Sequence, residues 1–339
     1  MTKKLFHTLA ILAVAFFAGQ GLPSMAQSSP VPDGIGPIGF FGNYGQHVPP
    51  KPQAAVRQSA GSQQDAVAQG LAKTKAYKFR TVDYPAATNT PVSDYNDKIV
   101  VGSFRFGNSE STAFYYKGTT NYILTVPGSS NSVLIGINPH GQMVGRFTDS
   151  NGNHGFFYDG KTFTTLDFPG GNSTEADGIN SSGEIVGSFL DGSIVAHGFL
   201  YTNGRYTQLD CPDSMGTLAS GINSSGEIAG TCYYGSTYHG FLLSNKVYIA
   251  IDFPGAMSTI ANGINDAGYI AGCYDPASTS GCYFNATTTH GFTYINGVFT
   301  QVDVGGGAVA TALIRITNTK NVVGYYQDSL GELHGVIGK

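Results

Sequence analysis

Gly178-Ile179-Asn180-Ser181-Ser182-Gly183-Glu184-Ile185-Val186-Gly187 is written more than once along this chain. Its opening tripeptide returns as Gly136-Ile137-Asn138, Gly221-Ile222-Asn223 and Gly263-Ile264-Asn265, each followed by a polar turn, an Ile, Val or Met, and a glycine. The closing glycines fall at 102, 145, 187, 230, 272 and 324, which are 42 or 43 residues apart except for a last interval of 52. Self-similarity at a fixed period is the mark of a repeat architecture. Six units follow, with an insertion in the fifth and weaker openings at Ser93 and Arg315.

Each unit reads as four strands. The third unit has one running into Gly178-Ile179-Asn180, one along Glu184–Phe189, one at His197-Gly198-Phe199-Leu200-Tyr201, and one at Tyr206–Asp210. Asn203-Gly204 joins the last two, and both residues tolerate the positive φ of a two-residue hairpin. About 42 residues in four antiparallel strands is one propeller blade. A β-sandwich has no reason to repeat so evenly. The expected fold is therefore all-β, a six-bladed propeller of four-stranded blades over residues 76–339.

A second regularity makes the pattern geometric. His154 precedes Asp167 by 13 residues, and the same spacing joins His197 to Asp210, His239 to Asp252, and His290 to Asp303. For His197 and Asp210 the midpoint lies in the Asn203-Gly204 turn, so the two side chains face each other on neighbouring strands. The sixth unit has His334 but no strand after it to supply an aspartate. Phe79-Arg80-Thr81-Val82-Asp83-Tyr84-Pro85, at the front of the domain, matches Thr164-Thr165-Leu166-Asp167-Phe168-Pro169. Pairing the N-terminal strand (about 78–84) with the last blade closes the ring and places His334 against Asp83, leaving no half-built sheet edge.

Composition agrees. The 339 residues include 47 Gly, 20 Tyr and 21 Phe, only 12% are charged, and net charge is −4. Short strands and tight turns use such a balance. Nucleic acid and anionic membrane surfaces demand clustered Lys and Arg, which this chain lacks, so neither is expected as a partner. Lys3 and Lys4, the apolar run Leu5–Ala18 and Ser24-Met25-Ala26 read as a signal peptide over residues 1–26, too short to span a bilayer. Residues 27–75, rich in Pro, Gln, Ala and Ser, read as a flexible linker. The expected product is secreted, extracellular or periplasmic, a monomer with no membrane span after cleavage.

The unit as a whole, Gly-Ile-Asn-x-x-Gly-x-Ile-x-Gly, then His-Gly-Phe-Leu-Tyr, then Asp-Phe-Pro-Gly, resembles the extracellular HAF repeat of bacterial surface and secreted proteins. The resemblance covers about residues 77–339, departs from the motif at Ser93 to Lys98, Thr112, Arg315 and Thr317, and implies export and a repeat fold but no activity.

No nucleophile elbow, zinc-protease helix, phosphate loop or Cys-x-x-Cys occurs, so no catalytic residue, metal ligand or cofactor is assigned. The His–Asp pairs (His154, Asp167, His197, Asp210, His239, Asp252, His290, Asp303, His334 and Asp83) are spread one per blade, whereas a metal needs three or four converging ligands; they are read as structural. Cys273 and Cys282 bracket the insertion, and Cys211 and Cys232 sit on consecutive units; an oxidising compartment favours both pairings. Polar and aromatic residues on the loop face, Asn172, Glu175, Asp177, Tyr274, Asp275, Tyr283 and Phe284, suit a glycan or a surface protein. The leading expectation is a non-enzymatic binding module. The alternatives are a glycan-processing hydrolase or lyase, with two carboxylates near the ring axis, and a purely structural cell-surface repeat.

Overall fold

A computed structural model describes residues 77–279, 281–282 and 288–339. The proposed signal peptide and linker lie outside the described residues, as do Tyr283 and Phe284 of the insertion. All regular structure described is β, arranged as six blades of four antiparallel strands. Blade VI holds the first described strand, β1 (Phe79–Val82), beside the short β2 (Asn89–Thr90). Blade I is β3 (Val92–Tyr95), β4 (Ile99–Phe104), β5 (Thr112–Lys117) and β6 (Thr120–Ile123). Blade II is β7 (Asn131–Ile137), β8 (Met143–Thr148), β9 (Asn153–Tyr158) and β10 (Phe163–Leu166). Blade III is β11 (Ser173–Ile179), β12 (Ile185–Leu190), β13 (Ala196–Thr202) and β14 (Arg205–Leu209). Blade IV is β15 (Gly216–Ile222), β16 (Ile228–Tyr234), β17 (Thr237–Ser244) and β18 (Val247–Ala250). Blade V is β19 (Ser258–Ile264), β20 (Ile270–Asp275), β21 (His290–Ile295) and β22 (Val298–Gln301). Blade VI ends with β23 (Ala310–Ile316), β24 (Val322–Gln327) and β25 (Leu333–Gly338).

The ring closes as the sequence requires. β1 pairs antiparallel with β25, Phe79 opposite Gly338 and Val82 opposite Gly335, so the first and last described strands share one sheet. Lys78 and Lys339 extend the ladder by two backbone hydrogen bonds of 3.1 and 3.2 Å.

The repeated glycine and phenylalanine explain each other. Gly187 on β12 stands opposite Phe199 on β13. A Cβ there would run into the Glu175 carbonyl and the Phe199 ring at 2.9 Å. The same collision is set up at Gly145 with Phe156, Gly230 with Phe241 and Gly272 with Phe292. The bare backbone lets each ring bury itself completely, and Phe114, Phe156, Phe199, Phe241 and Phe292 all have under 2% of their surface exposed. Each such burial stabilises by roughly 1.5–3 kcal/mol.

At three junctions the residue after the repeat aspartate is aromatic and staples the neighbouring blade. Phe168 stacks on Phe189 (centroids 3.6 Å apart), Phe253 on Tyr274 (3.7 Å) and Tyr84 on Phe104 (3.7 Å). Between blades III and IV the same two positions hold Cys211 and Cys232, which form a disulfide. The second disulfide, Cys273–Cys282, lies at the blade V insertion, and no described cysteine is free. Replacing Cys211 and Cys232 by Ala is expected to lower stability by about 3 kcal/mol, the loop-closure value for their 21-residue separation. The double change to Phe introduces the aromatic staple of three other junctions and should recover part of that loss. Urea midpoints of the three chains check this; equal midpoints for the Ala and Phe pairs would contradict the equivalence.

Candidate functional site

The inner strands meet so closely at the axis that backbone packs against backbone. A Cβ on Gly136 would lie 2.9 Å from the Asp177 carbonyl, and one on Gly221 2.9 Å from the Gly263 Cα. Two units depart from glycine at this position, Asp94 in blade I and Arg315 in blade VI, and together they fill what space remains. Arg315 is buried, and its guanidinium donates to the carbonyls of Asp177 (blade III), Ser220 (blade IV), Asn262 (blade V) and Ile314 (blade VI). Its Nε lies 3.6 Å from Asp94 Oδ2. The apparent decay of the motif is thus a plug.

The Asn of each Gly-Ile-Asn ties the turn to itself and to its neighbour. Asn180 Oδ1 accepts the N–H groups of Ser182 and Glu184, both at 3.0 Å. Its amide donates to the Asn223 carbonyl at 3.0 Å, and Asn96, Asn138, Asn223 and Asn265 each donate to the next blade in the same sense. The last step, blade VI to blade I, is made by Thr319 and Asn321 donating to Asp97.

The five repeat histidines each contact the aspartate 13 positions on or, for His334, across the seam. The Nδ1–carboxylate distances are 2.9 Å for His154–Asp167, 2.7 Å for His197–Asp210, 3.2 Å for His239–Asp252, 2.9 Å for His290–Asp303 and 3.0 Å for His334–Asp83.

The expected ligand face is corrected at several residues. Glu175 and Asp177 are buried within β11, on the inner strand, and do not lie on a surface loop. The polar run 171–177 reads as loop because inner strands are expected to be apolar, yet here they border a polar axis. Arg146 Nε sits 3.1 Å from Glu175 Oε1; burial nevertheless pushes the Glu175 carboxyl up to about 7, and pushes Asp177 well above the carboxylate range, helped by the Glu175 charge. Tyr274 and Asp275 are also buried, in β20: the tyrosine hydroxyl donates to Gln301, and the Asp275 carboxylate accepts from Ala277, Ser278, Thr288 and Thr289. Asn172 alone of the described set is exposed, donating to the Asp191 carbonyl.

What the sequence did not single out is a groove of about 520 Å³ at the seam between blades VI and I, lined by Arg80, Asp83, Tyr95, Asp97, Lys98 and Tyr116 among others. Three of these break the repeat. Tyr95 stands where the other units have Ile137, Ile179, Ile222, Ile264 and Ile316, and Arg80 where three of the others have Thr164, Thr207 and Thr300. Lys98 belongs to a turn one residue shorter than its counterparts: Asn96 N bonds Ile99 O, whereas Asn180 N bonds Glu184 O. Asp97 takes the left-handed conformation (φ 65°). Tyr116 donates to the Asp83 carbonyl at 2.9 Å. Burial holds the Tyr95 and Tyr116 phenols above their ordinary range, so both stay protonated donors.

No protein-family model matches the chain, and no curated protein does. Solved structures do. AofleA from Arthrobotrys oligospora aligns with TM-score 0.53 at 10% identity over 78% of this chain and 87% of its own. A fungal lectin with a six-bladed β-propeller fold, Aleuria aurantia lectin, gives 0.43 at 13% identity over 78% and 92%. Trypanosoma rangeli sialidase gives 0.44 at 12% identity over 78% of this chain and 55% of its own. Such likeness concerns fold, which many functions share.

Proposed function

We propose that this chain is an exported, non-catalytic propeller of the HAF-repeat kind that binds a glycan in the groove at the ring seam. The observation that carries the reading is where the repeat is broken. Asp94 and Arg315 depart from it to plug the axis, but Arg80, Tyr95 and Lys98 serve no such need, and all three line one groove. Tyrosine rings beside cationic and hydroxyl donors are what a sugar ring requires: apolar faces against C–H groups and directional partners for hydroxyls. The two disulfides, and the absence among the described residues of any helix long and apolar enough to cross a membrane, fit an exported protein.

A hydrolytic reading finds little support. The axial carboxylates Asp94, Glu175 and Asp177 face Arg315 or Arg146. The groove carboxylates are engaged as well, Asp83 by His334 and Asp97 by Thr319 and Asn321.

A glycan array with the full chain is expected to yield a class of bound sugars. Tyr95→Ile, which restores the consensus of the other units, should then weaken binding roughly tenfold while leaving the melting curve unchanged. Silence across the array, or undiminished binding by the Ile variant, would rule the groove out.

A further inference from the structure

We propose that blade VI carries a zinc site formed by Asp328, Glu332 and His334. One ligand atom from each of these residues lies within 4.8 Å of the other two. His334 Nδ1 is 3.0 Å from Asp83 Oδ2. In the tautomer that donates its Nδ1 proton to that carboxylate, the Nε2 lone pair faces the other way, the second-shell arrangement of a metal-bound histidine. Nε2 then faces Asp328 Oδ2 at 3.6 Å. That separation, which recurs at His197 and Asp191 of blade III, is compatible with two atoms each about 2.1 Å from one zinc ion. Asp328 is itself held: its Oδ1 accepts the N–H groups of Leu330 and Glu332, both at 2.9 Å, leaving Oδ2 to the histidine. The ring of Tyr326 stacks on the imidazole (centroids 4.9 Å apart) and fixes its plane. Nitrogen with two carboxylate oxygens is a zinc donor set with room for a fourth, exchangeable ligand.

Blade III supplies an internal comparison. Its turn has the same hydrogen bonds: Asp191 N to Val195 O and Ile194 N to Asp191 O match Asp328 N to Glu332 O and Gly331 N to Asp328 O. Asp191 Oδ1 likewise accepts from Ser193 and Val195. His197 has Asp210 on Nδ1 and Asp191 Oδ2 at 3.6 Å from Nε2. The one ligand-bearing difference is Val195 in place of Glu332. Among the described residues, a repeated histidine–aspartate pair becomes a three-ligand cluster in blade VI alone, by one side chain on a surface turn.

The test is zinc uptake by the full, chelator-stripped chain with both disulfides formed, in competition with a chromophoric chelator. One equivalent should bind. Glu332→Gln, on a turn where it removes no buried contact, should weaken that site at least tenfold with an unchanged melting curve, and Asp83→Asn by about tenfold through the histidine. Val195→Glu should add a second equivalent. The site is overturned if the parent chain takes up no stoichiometric zinc, if Glu332→Gln binds as the parent does, or if Val195→Glu gains nothing.

Discussion

Arg315→Met is expected to destabilise the propeller by about 3–5 kcal/mol, the cost of leaving a buried charge without its partner. The long apolar replacement keeps most of the volume but removes the guanidinium from Asp94 and from four carbonyls contributed by blades III, IV, V and VI. Asp94 and Asp177, whose carboxyls burial already raises while Arg315 lowers them, would rise further. A carboxyl whose folded pKa exceeds its unfolded value contributes stability that is full below the unfolded value and lost as pH rises through the folded one. The deficit of the variant should therefore be larger near pH 8 than near pH 5. Urea unfolding at both values reads it, and adding Asp94→Asn should return part of the loss. A deficit under about 1 kcal/mol at pH 8 would mean the guanidinium is not balancing these charges.

Removing residues 77–84 is expected to abolish the cooperative fold altogether. β25 would lose its outer partner along a four-residue ladder, His334 would lose Asp83, and Val82, Tyr84 and the groove would go with them. An unpaired strand edge also invites aggregation. The complementary experiment is a permutant beginning at Ala86, with residues 77–85 joined to Lys339 through a two-residue Asn-Gly turn. Lys78 and Lys339 already exchange backbone hydrogen bonds, so the join asks for a hairpin in register. The permutant should elute as a monomer and melt cooperatively; failure of both chains alike would show that more than strand supply is at stake.

The ring itself was legible because its determinants recur. His197 and Asp210 announce a hairpin by spacing alone, and the strand missing after His334 is visible at Phe79–Val82. The Cys211 and Cys232 pairing was readable as adjacency of units, and the structure adds why: they occupy the positions of Phe168 and Phe189. What repetition cannot express is what single units do differently. Asp94 and Arg315 look like decay until the axis brings them together. Glu175 and Asp177 read as loop because polar residues on an inner strand imitate one. The groove joins Arg80, from the strand that enters blade VI, to Tyr95 and Lys98 of blade I, across a seam that exists only once the ring has closed. Glu332 has no signal of its own and stands out only beside Val195.

The reach of Arg315 also fixes a number. A side chain of one length touches carbonyls from four blades and the carboxylate of a fifth, inside a throat where Gly136 and Gly221 already leave no room for a methyl group. A seventh sector would widen the throat beyond the span of the guanidinium and strand its partners, and a five-sector ring would have no space for it. The reach of Arg315 is thus matched to a ring of six sectors.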